Sequence, residues 1–149
     1  SDGTKFMVFN THFDHVGVKA REESSKLILK KIKELNTENY PVVLMGDFNF
    51  CATWDENRIL DPGYRDLWGV LHPNDPGYTE DTDVNLMRWE LKREEKKVRF
   101  DRILLRSPAS RWRPRSIRMI GTEPISLQHP SIFPSDHFGL VGDIQWHHK

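Results

Sequence analysis

Pro41-Val42-Val43-Leu44-Met45, running into Gly46-Asp47-Phe48-Asn49, is the stretch that decides the fold. An apolar run of this length, closed by a glycine and followed at once by polar groups, predicts a strand buried on both faces. Its end predicts a site. Side chains on a strand alternate with a period of two, so Asp47 and Asn49 are expected to point the same way. The carboxylate supplies negative charge for a metal or a water proton, and the amide NH₂ supplies a donor for an oxyanion, the pairing that phosphoester hydrolysis needs. Asp and Asn after a strand are also common turn formers, so this stretch alone leaves both readings open.

Upstream, Phe6, Met7, Val8 and Phe9 belong to a strand predicted from Lys5 to His12, which runs out into Phe13-Asp14-His15. His12 falls at this strand's end as Asp47 does at the next, where a histidine is either a hydrogen-bonded structural group or a chemical one. Between the two strands, Ala20, Leu27, Ile28, Ile32 and Leu35 recur at helical spacing, with Lys26, Lys30 and Lys33 opposite. They predict an amphipathic helix from Ala20 to Leu35, closed by Asn36 to Tyr40. Strand, helix, strand makes the exits of His12 and Asp47 candidate sheet neighbours. At the start, Ser1-Asp2-Gly3-Thr4 reads as a hairpin turn whose first strand is absent, which predicts a chain that begins inside a sheet and forms part of a larger domain.

Downstream, residues 51–97 are the least regular. Asp61-Pro62-Gly63-Tyr64 and Asn74-Asp75-Pro76-Gly77-Tyr78 read as turns, with a short buried helix at Leu67, Trp68, Val70 and Leu71 between them. Trp89 and Leu91 fit either a hairpin arm or a loop. Val98 to Leu105 alternates as a strand and puts Asp101 on one face with Ile103 and Leu105. A carboxylate there needs a cation, a histidine or a metal. Ile117 to Ile120 and Leu140 to Trp146 are the last predicted strands, separated by a loop that carries Ser135-Asp136-His137.

At 149 residues, 37% hydrophobic and 30% charged, the chain has the composition of one soluble globular domain. It shows no apolar run of membrane-spanning length and no signal-peptide pattern, and the single Cys51 cannot form an internal disulfide. These features lead us to expect an intracellular protein, nuclear or cytoplasmic. The net charge of zero hides an asymmetry. Residues 1–87 hold nine basic against fifteen acidic residues (−6), residues 88–118 twelve against four (+8), and residues 119–149 one against three (−2). An acidic portion beside a basic one suits a metal-dependent enzyme that acts on a polyanion, although a charge run of this kind also serves as a solvated surface.

A strand ending in Thr11-His12-Phe13-Asp14, a strand ending in Gly46-Asp47-Phe48-Asn49, an Arg99-Phe100-Asp101-Arg102-Ile103 strand and a Ser135-Asp136-His137 triplet, in that order, resemble the endonuclease/exonuclease/phosphatase superfamily from Phe6 to Ile144. Tyr78-Thr79-Glu80-Asp81-Thr82, with the Arg99–Ile103 and Phe133–His137 stretches, is most similar to its 5′-tyrosyl-DNA phosphodiesterase branch, which removes topoisomerase tyrosine adducts from DNA 5′ ends. The chain departs from that branch at Glu80, where a tryptophan is usual, and an acid there is expected to repel a phosphate. Its His12-Phe13-Asp14-His15 looks more like the general hydrolases of the superfamily.

The resemblance implies an α/β fold, a two-layer β-sandwich flanked by helices of the DNase I-like type. Residues 1–149 correspond to the C-terminal portion of one such domain. It also implies roles. Asp47 would orient or deprotonate the attacking water, Asn49 and His12 would contact phosphate oxygens, and His137 would hydrogen-bond the phosphoryl oxygen while Asp101 holds its other ring nitrogen. Asp136 would place the metal, directly or through water, and Mg²⁺, with Mn²⁺ as a substitute, suits such hard oxygen ligands. Tyr78 and Thr79 are implied substrate contacts. Arg21 is either a phosphate contact or a surface arginine.

The superfamily's principal metal glutamate lies in its first half, which this chain does not match, so the chain is expected to need the missing half, a partner chain or self-association. The implied activity is metal-dependent phosphodiester hydrolysis on DNA 5′ ends. The alternatives are the same scaffold acting on RNA, a phospholipid or a phosphoinositide, and a non-catalytic fragment or binding module.

Overall fold

The computed structural model describes residues 3–147, apart from the side chains of residues 91 and 92. Residues 1 and 2 of the N-terminal turn lie outside the described residues. The first three elements follow the sequence: strand β1 (Met7–His12), helix α1 (Val18–Leu35) and strand β2 (Val42–Asp47). Strand β3 (Tyr64–Asp66), helix α2 (Leu67–Leu71), strand β4 (Glu80–Asp81), helix α3 (Met87–Lys92) and strand β5 (Lys97–Val98) come next. Strands β6 (Asp101–Arg106), β7 (Trp112–Ile120) and β8 (Gly139–Trp146) complete the chain.

One mixed sheet has the order β1-β2-β6-β3, β1 and β2 being parallel and the other pairs antiparallel. Strand β2 is therefore central, as its apolar run requires. Val42 and Leu44 face outward from the sandwich, where they join Leu104, Phe13, Phe48 and Phe50 beneath Ile28 and Ile32 of α1. Val43 faces the other way, where it packs with Leu105, Ile103, Leu67 and Trp68 against Ile117, Met119, Leu140 and Ile144 of the antiparallel pair β7-β8. The layers are thus helix, mixed sheet and second sheet, an α/β sandwich with one apolar cluster on each side of β2. Each side chain buried in these clusters contributes about 1.5–3 kcal/mol.

Several expectations give way to longer-range packing. The buried face of α1 is Arg21, Ser25 and Ile32, while Leu27 and Leu35 are exposed. Arg21 takes a core position because Glu56 neutralises it, and its offset turns Leu27 outward. Trp89 lies in α3, neither a hairpin arm nor an irregular loop. The predicted strand from Val98 to Leu105 is broken at Arg99 and Phe100, where the chain leaves the β4-β5 ribbon and joins the main sheet. Strand β7 starts at Trp112, earlier than expected, and a register shift between Pro114 and Ser116 accommodates the proline. No helix among the described residues is long and apolar enough to cross a membrane.

Gly46 is required by the fold as well as by the turn. Its φ is +130°, and a Cβ at this position would lie 1.9 Å from the carbonyl oxygen of Thr11 on β1. We predict that Gly46→Ala destabilises the protein by about 3 kcal/mol or more, since strained backbone and a steric clash act together. Urea denaturation against the parent protein checks this.

Candidate active site

Cross-strand register assembles the site. His12 pairs with Asp47, and Asp47 pairs with Asp101, so the three side chains form one row on the inner face of the sheet. His12 Nε2 lies 3.4 Å from Asp47 Oδ2, with the His12 side chain 72% exposed. The loop before β8 brings His137 over this row, and its Nδ1 is 2.7 Å from Asp101 Oδ2. Ligand-capable atoms of Asp47, Asp101 and His137 all lie within 4.8 Å of one another. Two carboxylates and an imidazole at this spacing can hold a cation and a water, and can bind an oxyanion through the ring.

Burial of the His137 ring disfavours its charge. The hydrogen bond and charge of Asp101 outweigh that effect, helped by the charges of Glu80 and Asp47, and raise the pKa above its ordinary 6.5. Because Nδ1 faces a carboxylate, Nδ1 is the donor to Asp101, and Nε2 lies 3.4 Å from Glu80 Oε1. The backbone N–H of His137 donates to Ser135 Oγ at 3.1 Å and fixes the approach of the loop.

Asn49 departs from the simple alternation. Strand β2 ends at Asp47, and Asn49 has a φ of +52°. Its backbone N–H donates to Asp47 Oδ1 at 2.8 Å, and its side-chain Nδ2 donates to the carbonyl of Phe13 at 2.9 Å. The residue is buried, and it ties the β2 exit to the β1 exit. It thereby commits one carboxylate oxygen of Asp47 and leaves Oδ2 toward His12.

Other predicted residues stand apart from this group. Asp136 is outside it: its carboxylate lies 4.0 Å from Arg88 and 3.5 Å from Ser135 Oγ. Thr79 is fully buried and has no surface to offer a substrate. Its hydroxyl accepts from the backbone N–H groups of Phe100 and Asp101, and its carbonyl accepts from Phe138, so it joins the ends of the segments that carry Asp101 and His137. Tyr78 is half-buried in an open cleft of about 540 Å³, with Cys51, Trp54, His72, Lys97 and Arg99 among its walls.

Arg21 is neither a phosphate contact nor a surface residue. It is 4% exposed, and its Nη2 donates to Glu56 Oε1 at 2.6 Å while Nη1 donates to the Asp14 carbonyl. This buried fork fastens α1 to the turn of 3-10 helix at Asp55–Ile59. Glu80, expected to repel phosphate, is buried between Arg88 and Lys96. Sequence reading missed this pairing, and also Arg102, which is 3% exposed, donates to Asp66 and Asn57, and lies over the rings of Phe48 and Phe50. Neither gives a local signal: Glu80 lies between Thr79 and Asp81 and Arg102 between Asp101 and Ile103, so only their distant partners reveal them.

A mixed sheet with a second sheet on one face, a helix on the other and Asp, Asp and His gathered at its strand ends defines a DNase I-like hydrolase fold. The model of the endonuclease/exonuclease/phosphatase family matches residues 6–137, and the chain belongs to that family. Tyrosyl-DNA phosphodiesterase 2 of Rattus norvegicus is 30% identical over 147 residues, which cover 93% of this chain and 37% of the relative. A D. rerio TDP2 crystallised with a single-strand DNA product superposes with a TM-score of 0.80 at 28% identity, over 97% of this chain and 58% of that one. A mannosyl-6-phosphatase of Bacteroides thetaiotaomicron VPI-5482 gives a TM-score of 0.70 at 26% identity, over 97% and 53%. The chain thus spans little more than a third of the curated relative and somewhat over half of the solved ones.

The His137–Asp101 pair predicts a pH dependence. With its pKa raised in the folded state, His137 adds stability that is complete below its unfolded value near 6.5 and is lost as pH rises through the higher folded value. Asp101→Asn removes the main raising influence, so the stability lost across that window should shrink and the His137 midpoint should fall. Urea titrations at a series of pH values, with histidine NMR, check both.

Proposed function

We propose that the protein takes part in metal-dependent hydrolysis of phosphodiesters at DNA 5′ ends, of the 5′-phosphotyrosyl type. The observation that carries this reading is the convergence of Asp47, Asp101 and His137 within 4.8 Å in a member of this family. The likeness to a tyrosyl-DNA phosphodiesterase, and to a related structure bound to single-stranded DNA, supports DNA as the partner. An intracellular setting, nuclear or cytoplasmic, accords with such a substrate.

Asp47 Oδ2 accepts the proton of the attacking water, whose oxygen adds to phosphorus as the bond to the leaving oxygen breaks. His137, held through Nδ1 by Asp101, donates Nε2–H to the phosphoryl oxygen and stabilises the charge that builds there. His12 contacts the phosphate from the exposed end of the row, and Asn49 holds Asp47 in place with its second amide hydrogen available to an oxygen. A tyrosyl leaving group departs as a phenolate whose conjugate acid has a pKa near ~10, so it needs less help than an alkoxide would. The carboxylates of Asp47 and Asp101 would hold a hard divalent cation, Mg²⁺ or Mn²⁺, and Asp136 would help to place it directly or through water. Such an ion supplies Lewis acidity and charge neutralisation.

We also propose that residues 1–149 are the C-terminal portion of one domain. Val8, on the inner face of β1, is 59% exposed, while the β6 side of that face is covered by β7-β8. The bare region is where further strands of the same sandwich, a partner chain or a second copy would pack. A second reading, hydrolysis of a sugar phosphate, has the support of the mannosyl-6-phosphatase likeness.

We predict Mg²⁺-dependent release of tyrosine from a 5′-phosphotyrosyl oligonucleotide, with Asp47→Asn and His137→Ala each slowing it by about 10²–10⁴-fold. If the chain by itself does not turn over, activity should return when the upstream part of the domain is supplied. Turnover that survives both substitutions would overturn the site, and a preference for mannose 6-phosphate would select the second reading.

A further inference from the structure

Glu80, one of the residues at which the chain departs from its branch pattern, is a buried carboxylate with two close cations. It is 1% exposed on β4, and both carboxylate oxygens are sealed from solvent. Two cations and an imidazole from three segments converge on it: Arg88 Nη1 of α3 at 2.8 Å, Lys96 Nζ before β5 at 3.0 Å, and His137 Nε2 at 3.4 Å. The angles fall short of well-formed hydrogen bonds, so the attraction is chiefly Coulombic. Burying a carboxylate this completely is costly unless its partners compensate, a cost that an apolar side chain of the same size would avoid. An apolar group could fill the space, but it could not hold a ring nitrogen.

We propose that Glu80 is a positioning residue. It holds His137 by the ring nitrogen that Asp101 leaves free, and through Arg88 and Lys96 it clamps residues 82–97 against the Ser135–His137 loop, so that ring and excursion are set together. Neighbouring bonds run the same way: Asn85 Nδ2 donates to the Ser135 carbonyl at 2.8 Å, and the Phe133 N–H points at Met87 Sδ at 3.3 Å. Thr82 Oγ1 accepts from the backbone N–H of Lys96 at 2.9 Å and closes the base of the excursion.

The distances order these tasks. At 2.7 Å the Asp101 bond fixes the ring, whereas at 3.4 Å Nε2 is held toward Glu80 chiefly by charge, a hold for which a phosphoryl oxygen can compete. Glu80 therefore steadies the ring and shields Nε2–H until a ligand displaces that contact. Arg88 and Lys96 are mostly buried, and with Glu80 neutral they would repel each other and the imidazolium. The ring's role in phosphate binding rests on the function proposed above; the clamp does not.

The test compares Glu80→Gln with the parent protein, using readouts that need no turnover. At one mildly acidic pH, the imidazole Nε2–H of His137 should exchange with solvent at least about tenfold faster in Glu80→Gln, and trypsin should cut after Arg88, Arg93 or Lys96 faster by a similar factor. Glu80→Asp, which keeps the charge, should restore most of both. A cooperatively folded Glu80→Gln protein with the parent's exchange rate and tryptic pattern would overturn the proposal. If Glu80→Gln does not fold, Lys96→Met tests the clamp from the other side: faster cleavage after Arg88 supports it, and unchanged cleavage overturns it.

Discussion

A one-residue slip of β2 against either neighbour would turn Asp47 from the inner face of the sandwich to the face that packs on α1, and the rest of the structure depends on preventing it. Register is held on both sides. The pairings of His12 with Asp47 and of Asp47 with Asp101 belong to a ladder that starts at Val42, opposite Met7 on one side and Arg106 on the other. Val42 and Leu44 can be buried only if Val43 and Asp47 face away from them. The same alternation that fills two apolar clusters therefore delivers the carboxylates to one row, and site geometry follows from core packing with no added device.

Charge is organised differently from the tally along the chain. The basic stretch 88–118 suggests a surface for a polyanion, yet several of its members are occupied in ion pairs inside the protein. Arg88 and Lys96 attend Glu80, and Arg99 and Arg102 share Asp66. Arg113 and Arg115 lie on β7, in the second sheet, and Arg111 stacks over Trp146 at its start. The acidic residues that balance these cations, Glu80 and Asp66, come from the acidic portion of the chain, so the asymmetry reads largely as one segment packing on another.

Local patterns made the strand ends legible: an apolar run, a glycine and a polar group need no knowledge of distant residues. The helix, expected from Ala20 and found from Val18 to Leu35, and the exits of β1 and β2 are readable for that reason. What escaped depends on partners far along the chain. Arg21 looked like a surface or ligand-binding residue because its acid, Glu56, is 35 positions away, and Arg102 found Asp66 across 36. Strand β3 is three residues long and exists through its pairing with β6, so Tyr64-Arg65-Asp66 carries too little periodicity to announce itself. Thr79 was selected as a contact, but its hydroxyl satisfies the backbone at the break between β5 and β6, a break that alternation from Val98 to Leu105 conceals.

The turn after β2 shows how rigidity is obtained where the backbone is least favourable. A non-glycine residue at φ +52° costs on the order of 1–3 kcal/mol, and Asn49 sits there between two buried phenylalanines. Its two bonds, to Asp47 Oδ1 and to the Phe13 carbonyl, each return about 0.5–1.5 kcal/mol, with the bond to the carboxylate at the stronger end. Phe13, Phe48 and Phe50 pack edge-to-face and stacked around it, and Arg102 lies over two of the three rings. The strain is thus offset locally, and the aromatic floor leaves the turn no second arrangement of similar energy. Asp47 is thereby fixed in one orientation by the protein itself, which is the property that electrostatic preorganisation requires of a carboxylate.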